Sequence, residues 1–323
     1  MREPVSAGVI EGKRMEMWER CRRFLELIRF SHTIFALPFA MLASIWAWIV
    51  PANASLGESP ASFRWTDLAG ILACMVTARS FAMAMNRLLD EKFDGENPRT
   101  AKRHLPAKLL ARSEVIWFAI GCAALFIAST LLFLPNRIPI QWSVPVLVFL
   151  MGYSIGKRFT WLVHFWLGIA LMLAPICAWV AIRGVYVQTD ITDLYPAIAL
   201  GLVVMFWVTG FDIIYACQDF EFDRQSGLHS IPAKFGLRGA LNISKILHLA
   251  MWGIALGMTF WFPQLSLGWI FRACLVGIGG LLIYEHSAIS EKSLDRMQLA
   301  FFQLNSIISV VFLVAGSVDA WLR

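Results

Sequence analysis

The feature that most constrains this chain is a succession of apolar runs, at residues 33–50, 66–86, 115–134, 140–156, 161–182, 194–215, 246–262, 267–284 and 301–320. Each is close to the roughly 20 residues that let an α-helix cross a hydrocarbon core of about 30 Å. Hydrophobic residues make up 58% of the chain and charged residues 15%, against about 25% charged in a soluble domain. Pro135 and Pro139 punctuate the third and fourth runs, and Pro263 to Gly268 divides the seventh from the eighth as a tight outer turn. The expectation is an all-α membrane protein, a bundle of nine transmembrane helices, with no room among its 323 residues for a sizeable soluble domain.

The first 29 residues carry scattered charge and lack the apolar core of a signal peptide. Within them Met17, Trp18, Cys21, Phe24, Leu25 and Ile28 can share one helical face, as in a helix lying on a membrane surface. The chain therefore divides into a cytoplasmic amphipathic segment, 1–29, and a membrane domain, 30–323. Its six cysteines form no C-x-x-C pair and lie mostly in or beside apolar runs. They suggest buried hydrophobes rather than a disulfide framework or a zinc site.

Orientation follows from Lys and Arg. Of 28 basic residues, only Arg64, Arg137, Arg183 and Arg323 fall on one side, while Arg79 and Arg272 lie inside spans. All the others belong to the N-terminal segment and the exits of the even-numbered helices, which are therefore assigned to the cytoplasm. The expected location is the inner (plasma) membrane. The net charge of +6 then reflects a basic inner face suited to anionic lipids and substrates, with no need for nucleic acid.

Acids gather at two of these exits. Asn86, Asp90 and Asp94 fall four residues apart where the second helix leaves, and Asp212, Tyr215, Asp219 and Asp223 follow a similar spacing where the sixth leaves. Residues four apart stack on one helical face, and like charges so placed repel unless a cation lies between them. Hard carboxylate oxygens suit Mg²⁺, which binds through one or two carboxylates together with phosphate oxygens. Asp90, Asp94, Asp219 and Asp223 are the candidate metal ligands. Arg99, Lys102, Arg103, Lys157, Arg158, Arg224 and Lys234 are nearby cations for a diphosphate. A diphosphate head on a tail that prefers the bilayer describes a polyprenyl diphosphate. An allylic cation formed from it needs aromatic faces and shelter from water, for which Phe35, Phe81, Tyr153 and Tyr215 are placed near these exits.

These motifs resemble the UbiA superfamily of intramembrane prenyltransferases over nearly the whole chain from about Phe30. Asn86, Arg87, Asp90 and Asp94 match its first motif, and Asp219 and Asp223 its second. The stretches NRLLDEKFDGENPRT (86–100), YSIGKRFT (153–160) and DIIYACQDFEFDRQSGLHSIPAKFG (212–236) resemble the 4-hydroxybenzoate polyprenyltransferase branch. That resemblance implies a central cavity opening to the cytoplasmic side. It also implies Mg²⁺-dependent prenylation of 4-hydroxybenzoate in ubiquinone synthesis, with Asn86, Arg99, Arg103, Lys157 and Arg158 on the diphosphate. The sequence departs from the branch at His104, where a proline is usual, at Lys108 for a glycine, and at Leu162-Val163-His164. SHTIFALPFAM (31–41) and FFQLNSIISVVF (301–312) instead resemble a sister group that prenylates a naphthoate-type acceptor for menaquinone.

Three residues are the candidate catalytic set: Asp212, which could accept the acceptor's phenolic proton or position its hydroxyl, Tyr215, which shares the stripe with Asp219, and Arg79, two turns inside the second span, which could reach an acceptor carboxylate or Asp212. His164 and His248 have no paired metal-ligand spacing and suggest core or interface positions. Asn305 suggests a cavity or a hydrogen bond between helices. A proton-coupled transporter is the alternative of another class, but transporters place polar groups near mid-membrane, whereas these acids crowd the helix ends. The CDP-alcohol phosphotransferase opening D-G-x-x-A-R is missing.

Overall fold

The structure is a computed structural model that describes residues 18–20, 22–28, 35–51, 61–288 and 298–322. Most of the 1–29 segment, including Met17 and Cys21, and residues 31–34 of the SHTIFALPFAM stretch lie outside the described residues, as does 289–297 of the loop after the eighth predicted span. A helical turn over 22–27 (α1) precedes α2 (Leu37–Ile49), α3 (Trp65–Glu96), α4 (Arg112–Thr130), α5 (Ile138–Gly152), α6 (Val163–Thr189), α7 (Tyr195–Ala216), α8 (Phe220–Gln225), α9 (Ile231–Trp261), α10 (Trp269–Ala288) and α11 (Gln298–Trp321). Eight spans among the described residues are long and apolar enough to cross a membrane, and α2 adds a shorter apolar helix of 13 residues. The nine expected runs are thus all helical, eight of them of spanning length. In hydrocarbon a backbone must satisfy its own polar groups, and helices do this within a single segment. Large apolar side chains such as Trp117, Leu125, Val148, Val276 and Ile283 stay exposed on the outer faces. The chain is a multi-pass membrane protein.

Two helices run past their apolar runs. α3 has 32 residues, about 48 Å at 1.5 Å per residue, so it outlasts the hydrocarbon core and carries Asp90 and Asp94 on the same continuous helix. Asp67 lies in its first turn, 3.6 Å from Arg64, where an acid suits the helix dipole. α9 begins well before residue 246. The Ser230 hydroxyl accepts from the Ala233 amide, Pro232 lies in the first turn, and Gly236 takes a left-handed φ of 71° that breaks the regular helix once. Lys234, Arg238 and Lys245 are exposed while Ala240, Ser244 and Leu247 are buried. The early half of α9 is therefore amphipathic, and a continuous apolar run misses it.

α7 is the central helix, packed chiefly against α6 and α9. Small residues set those approaches. A Cβ on Gly168 would meet the Met205 carbonyl at 2.7 Å, and one on Gly201 would meet Met172 Cγ at 2.9 Å, the close backbone packing expected between helices in a bilayer. Around this axis Trp207, Phe39 and Phe312 form an aromatic core, and the Trp207 indole donates to Asn305 at 2.8 Å. Asn305 in turn donates to Glu285 at 3.3 Å, so it bonds between helices.

Arg183, read from sequence as an outer-loop cation, is instead fully buried inside α6. It forks onto Asp193, with Nε 2.9 Å from Oδ2, and donates to the Ala47 and Val50 carbonyls at 3.1 and 2.7 Å. Partners on three sides make its burial tolerable. Of the cysteines, Cys122 and Cys217 are buried as expected, but Cys177 is exposed because it lines the apolar cavity described below. Removing one partner from a buried ion pair costs about 3–5 kcal/mol. Asp193→Ala is accordingly expected to lower the thermal unfolding midpoint in detergent clearly, and more than Asp190→Ala, which removes a half-exposed cap from the turn Ile191–Leu194.

Candidate active site

Where α3, α5 and α7 end, their side chains enclose a polar cavity of about 220 Å³. α3 supplies Asn86, Asp90 and Asp94, and the turn after it supplies Arg99 and Arg103. Lys157 and Arg158 come from a 3-10 turn at Tyr153–Arg158. Asp212, Tyr215, Asp219 and Asp223 come from α7 and its continuation. The second acidic stripe is bent, because α7 stops at Ala216, a 3-10 turn covers Cys217–Asp219, and α8 starts at Phe220. The bend does not part the acids, since all four carboxylates line the same space.

Each carboxylate has a cation. Arg99 grips Asp219 with both arms of its guanidinium, Nε donating to Oδ1 at 2.8 Å and Nη2 to Oδ2. Asn97 adds a donor to Asp219 Oδ1 at 3.0 Å. Arg103 donates to Asp94 Oδ1 at 2.6 Å, Lys157 to Asp223 at 3.2 Å, and Arg158 stands 3.7 Å from Asp90. Asn86 donates to Asp90 Oδ2 at 2.7 Å. Three of these pairs join chain segments far apart in sequence, Arg99 to Asp219, Lys157 to Asp223 and Arg158 to Asp90, so charge stitches the helix exits together. Burial works against the charge on Arg99, but its bonds to Asp219 and the Tyr215 hydroxyl hold its pKa above the ordinary arginine value.

This set suits a hard divalent cation in its chemistry. Five carboxylates, Asp212 among them, face one cavity, and Asp94 Oδ2 is buried without a hydrogen bond, with Arg87 Nη1 4.0 Å away. Among the described residues no three acids, histidines or cysteines stand close enough together to hold a metal. The acids are paired instead with Arg99, Arg103, Lys157 and Arg158.

The structure separates one predicted site residue from the rest. Arg79 lines a second cavity of about 380 Å³ within the spans, bounded by Cys74, Phe126, Phe133, Trp142, Tyr153 and Cys177 and overwhelmingly apolar. It lies two turns too deep on α3 to join the acids. His164, expected at a core or interface position, is buried, and it also lines the polar cavity with Nδ1 2.7 Å from Asp212. Asn97 and Thr100 were also missed. Thr100 bonds the Asp94 carbonyl at 2.9 Å and ties the turn back onto α3. The signal available for both was their place in the basic turn that holds Arg99 and Arg103. Lys234 lies over the Trp161 ring at 4.0 Å instead of at the cavity, Lys102 lines a neighbouring basic hollow, and Arg224 is exposed. Phe35 packs against Trp207 and Phe211 in the core, while Phe93 and Phe222 are the phenylalanines at the cavity.

Coupling between close charged groups typically reaches about 0.5–3 kcal/mol. A double-mutant cycle of Arg99→Gln and Asp219→Asn, read by thermal unfolding in detergent without added metal, is expected to fall in the upper half of that range. The exposed pair Arg22 and Glu26 is expected to give less than about 1 kcal/mol.

Comparison with known proteins comes to the same architecture. Residues 47–307 match the profile of the UbiA prenyltransferase family. The chain is 29% identical over 289 residues to a 4-hydroxybenzoate octaprenyltransferase of Cupriavidus metallidurans, covering 88% of this chain and 91% of that one. It is 31% identical over 245 residues to the Nitrosomonas europaea protein of the same name, covering 73% and 77%. The apo structure of a UbiA homolog from Aeropyrum pernix superposes with a TM-score of 0.74 at 29% identity, over 89% of this chain and 97% of that one.

Proposed function

The chain belongs to the UbiA prenyltransferase family, and from that premise we propose that it transfers a polyprenyl group from a polyprenyl diphosphate to 4-hydroxybenzoate, with Mg²⁺, at the cytoplasmic face of the inner membrane. Four carboxylates matched by four cations at the mouth of an apolar bundle carry this reading. The named relatives support the acceptor, and the distribution of Lys and Arg supports the orientation. Membership in an enzyme family leaves the transporter alternative without support.

Asp90, Asp94, Asp219 and Asp223 would hold the metal, with Asn86 orienting Asp90. When bound, Mg²⁺ supplies positive charge that stabilises the departing diphosphate. Arg99, Arg103, Lys157 and Arg158, each already at a carboxylate, would turn their charge to the diphosphate oxygens. Anion binding by preplaced cations in a partly dry site is a strong source of transition-state stabilisation. The Tyr215, Phe93 and Phe222 rings line the same cavity and offer negative faces to an allylic cation. The large apolar cavity suits the isoprenoid chain, and Arg79 in its wall would take the acceptor carboxylate. The acceptor ring carbon ortho to the phenol bonds to the prenyl C1 as the C1–O bond breaks.

A naphthoate-type acceptor is the second reading, favoured by the stretches at 31–41 and 301–312. The test uses membranes containing the protein, radiolabelled polyprenyl diphosphate, Mg²⁺, and 4-hydroxybenzoate or a dihydroxynaphthoate as acceptor. Labelled 3-prenyl-4-hydroxybenzoate is expected, abolished by chelation and reduced about 10²–10³-fold by Asp90→Asn or Asp219→Asn. Full activity in either variant would end the metal assignment, and product from the naphthoate alone would replace the acceptor.

A further inference from the structure

His164 opens the second residue of α6, and its ring is almost wholly buried. It is nevertheless one of the walls of the polar cavity, with Asp212 beside it. Its Nδ1 lies 2.7 Å from Asp212 Oδ2. An ionised carboxylate only accepts hydrogen bonds, so Nδ1 carries the proton and Nε2 bears a lone pair. That Nε2 is buried and has no hydrogen-bond partner. A protonated Nε2 left without an acceptor would be costly, which also favours this tautomer.

The pair is held in place by the tightest contact between α6 and α7. Thr209, one turn before Asp212, donates to the Met205 carbonyl at 2.7 Å, with the His164 carbonyl 3.3 Å from the same hydroxyl. Gly168, one turn after His164, lets Thr209 and the Met205 carbonyl approach so closely that a Cβ there would meet the threonine hydroxyl at 2.2 Å. The ring is therefore fixed by backbone packing on one side and by a carboxylate on the other. A buried imidazole in the wall of the polar cavity, oriented through Nδ1 by an aspartate and with Nε2 unpartnered, has the arrangement of a general base.

We propose that His164 is a catalytic residue whose Nε2 accepts the acceptor's phenolic proton, and that Asp212 is the positioning residue that orients it. The inference rests on the reading that the acceptor is a phenol. As the ring carbon ortho to the hydroxyl bonds to the prenyl C1, the C1–O bond to diphosphate breaks and its electron pair leaves with the diphosphate. In the same step the phenolic O–H proton passes to Nε2, which gives a neutral dienone. The ring carbon then loses its hydrogen as a proton to a diphosphate oxygen. The oxygen of the dienone takes its proton back from Nε2, which restores the aromatic phenol and the neutral imidazole. One proton leaves with the diphosphate, and no other reactant is needed.

The test compares two acceptors, 4-hydroxybenzoate and 3-fluoro-4-hydroxybenzoate, whose phenol is more acidic, with geranyl diphosphate as donor. His164→Gln keeps the size and hydrogen bonding of the side chain but cannot act as a base. It is expected to lower kcat for 4-hydroxybenzoate about 10²-fold or more, with the KM for geranyl diphosphate changed less than threefold. The loss is expected to shrink at least fivefold with the fluorinated acceptor, which needs less help to ionise. Asp212→Asn is expected to lose less, about tenfold, with the same dependence on the acceptor, and it carries the test if His164→Gln does not fold. Wild-type kcat in His164→Gln, or equal losses with both acceptors in the variants, would overturn the assignment. Failure of the wild-type protein to prenylate any phenolic acid is a different result, which would remove the acceptor reading itself.

Discussion

The structure depends on charge compensation where apolar helices run out. A carboxylate at such a place is partly withdrawn from water, and its desolvation is tolerable only with a counter-charge at hand. Asp90, Asp94, Asp219 and Asp223 each meet that requirement with one arginine or lysine. Because three of those cations come from other helix exits, the same pairing closes the end of the bundle. The network is a structural clamp, and under the proposed function it would also be a store of ligands for a divalent ion and a diphosphate.

The helices are arranged to bring that network together. α3 continues past the membrane core and carries its acids outward, whereas α7 stops and turns through a 3-10 segment before α8. The two acidic motifs therefore reach the cavity by different local geometries. Glycines on α6 and α7 let the central helices approach closely, and that approach also fixes His164 beside Asp212. At the other end, Arg183 and Asp193 provide a second buried pair that anchors α6 to α2. Polar groups thus concentrate at the two ends of the bundle, with an apolar cavity large enough for a hydrocarbon chain between them.

Much of the site was legible because its spacing is local. Asn86, Asp90 and Asp94 lie on one helix, where a four-residue repeat means a shared face. Arg99, Arg103, Lys157 and Arg158 could be named as cations near these acids, and the family resemblance implied their diphosphate role; the structure brings all four to the cavity. The same reasoning left open or misjudged residues whose role depends on packing. By sequence Arg79 is open to either an acceptor carboxylate or Asp212, and α3 places it in the lining of the apolar cavity. His164 looked like a core or interface histidine because it sits in an apolar run, and nothing in the run announces that α7 places a carboxylate against it. Arg183 looked like a loop cation, because a buried ion pair leaves no periodic trace.

By itself the sequence determined that this protein crosses a membrane many times and gathers acids and bases at the ends of two spans. Hydrocarbon enforces helices of a fixed minimum length, and charge cannot hide in them. It determined as well the family motifs that make the chain a prenyltransferase. Only the tertiary structure decided which cation answers which carboxylate, that the second acidic motif bends at Cys217–Asp219, that Arg79 faces the apolar cavity, and that His164 meets Asp212. Those choices rest on helix packing and on which groups meet across elements distant in sequence, and the distances involved are set by three-dimensional contact, which no local pattern encodes.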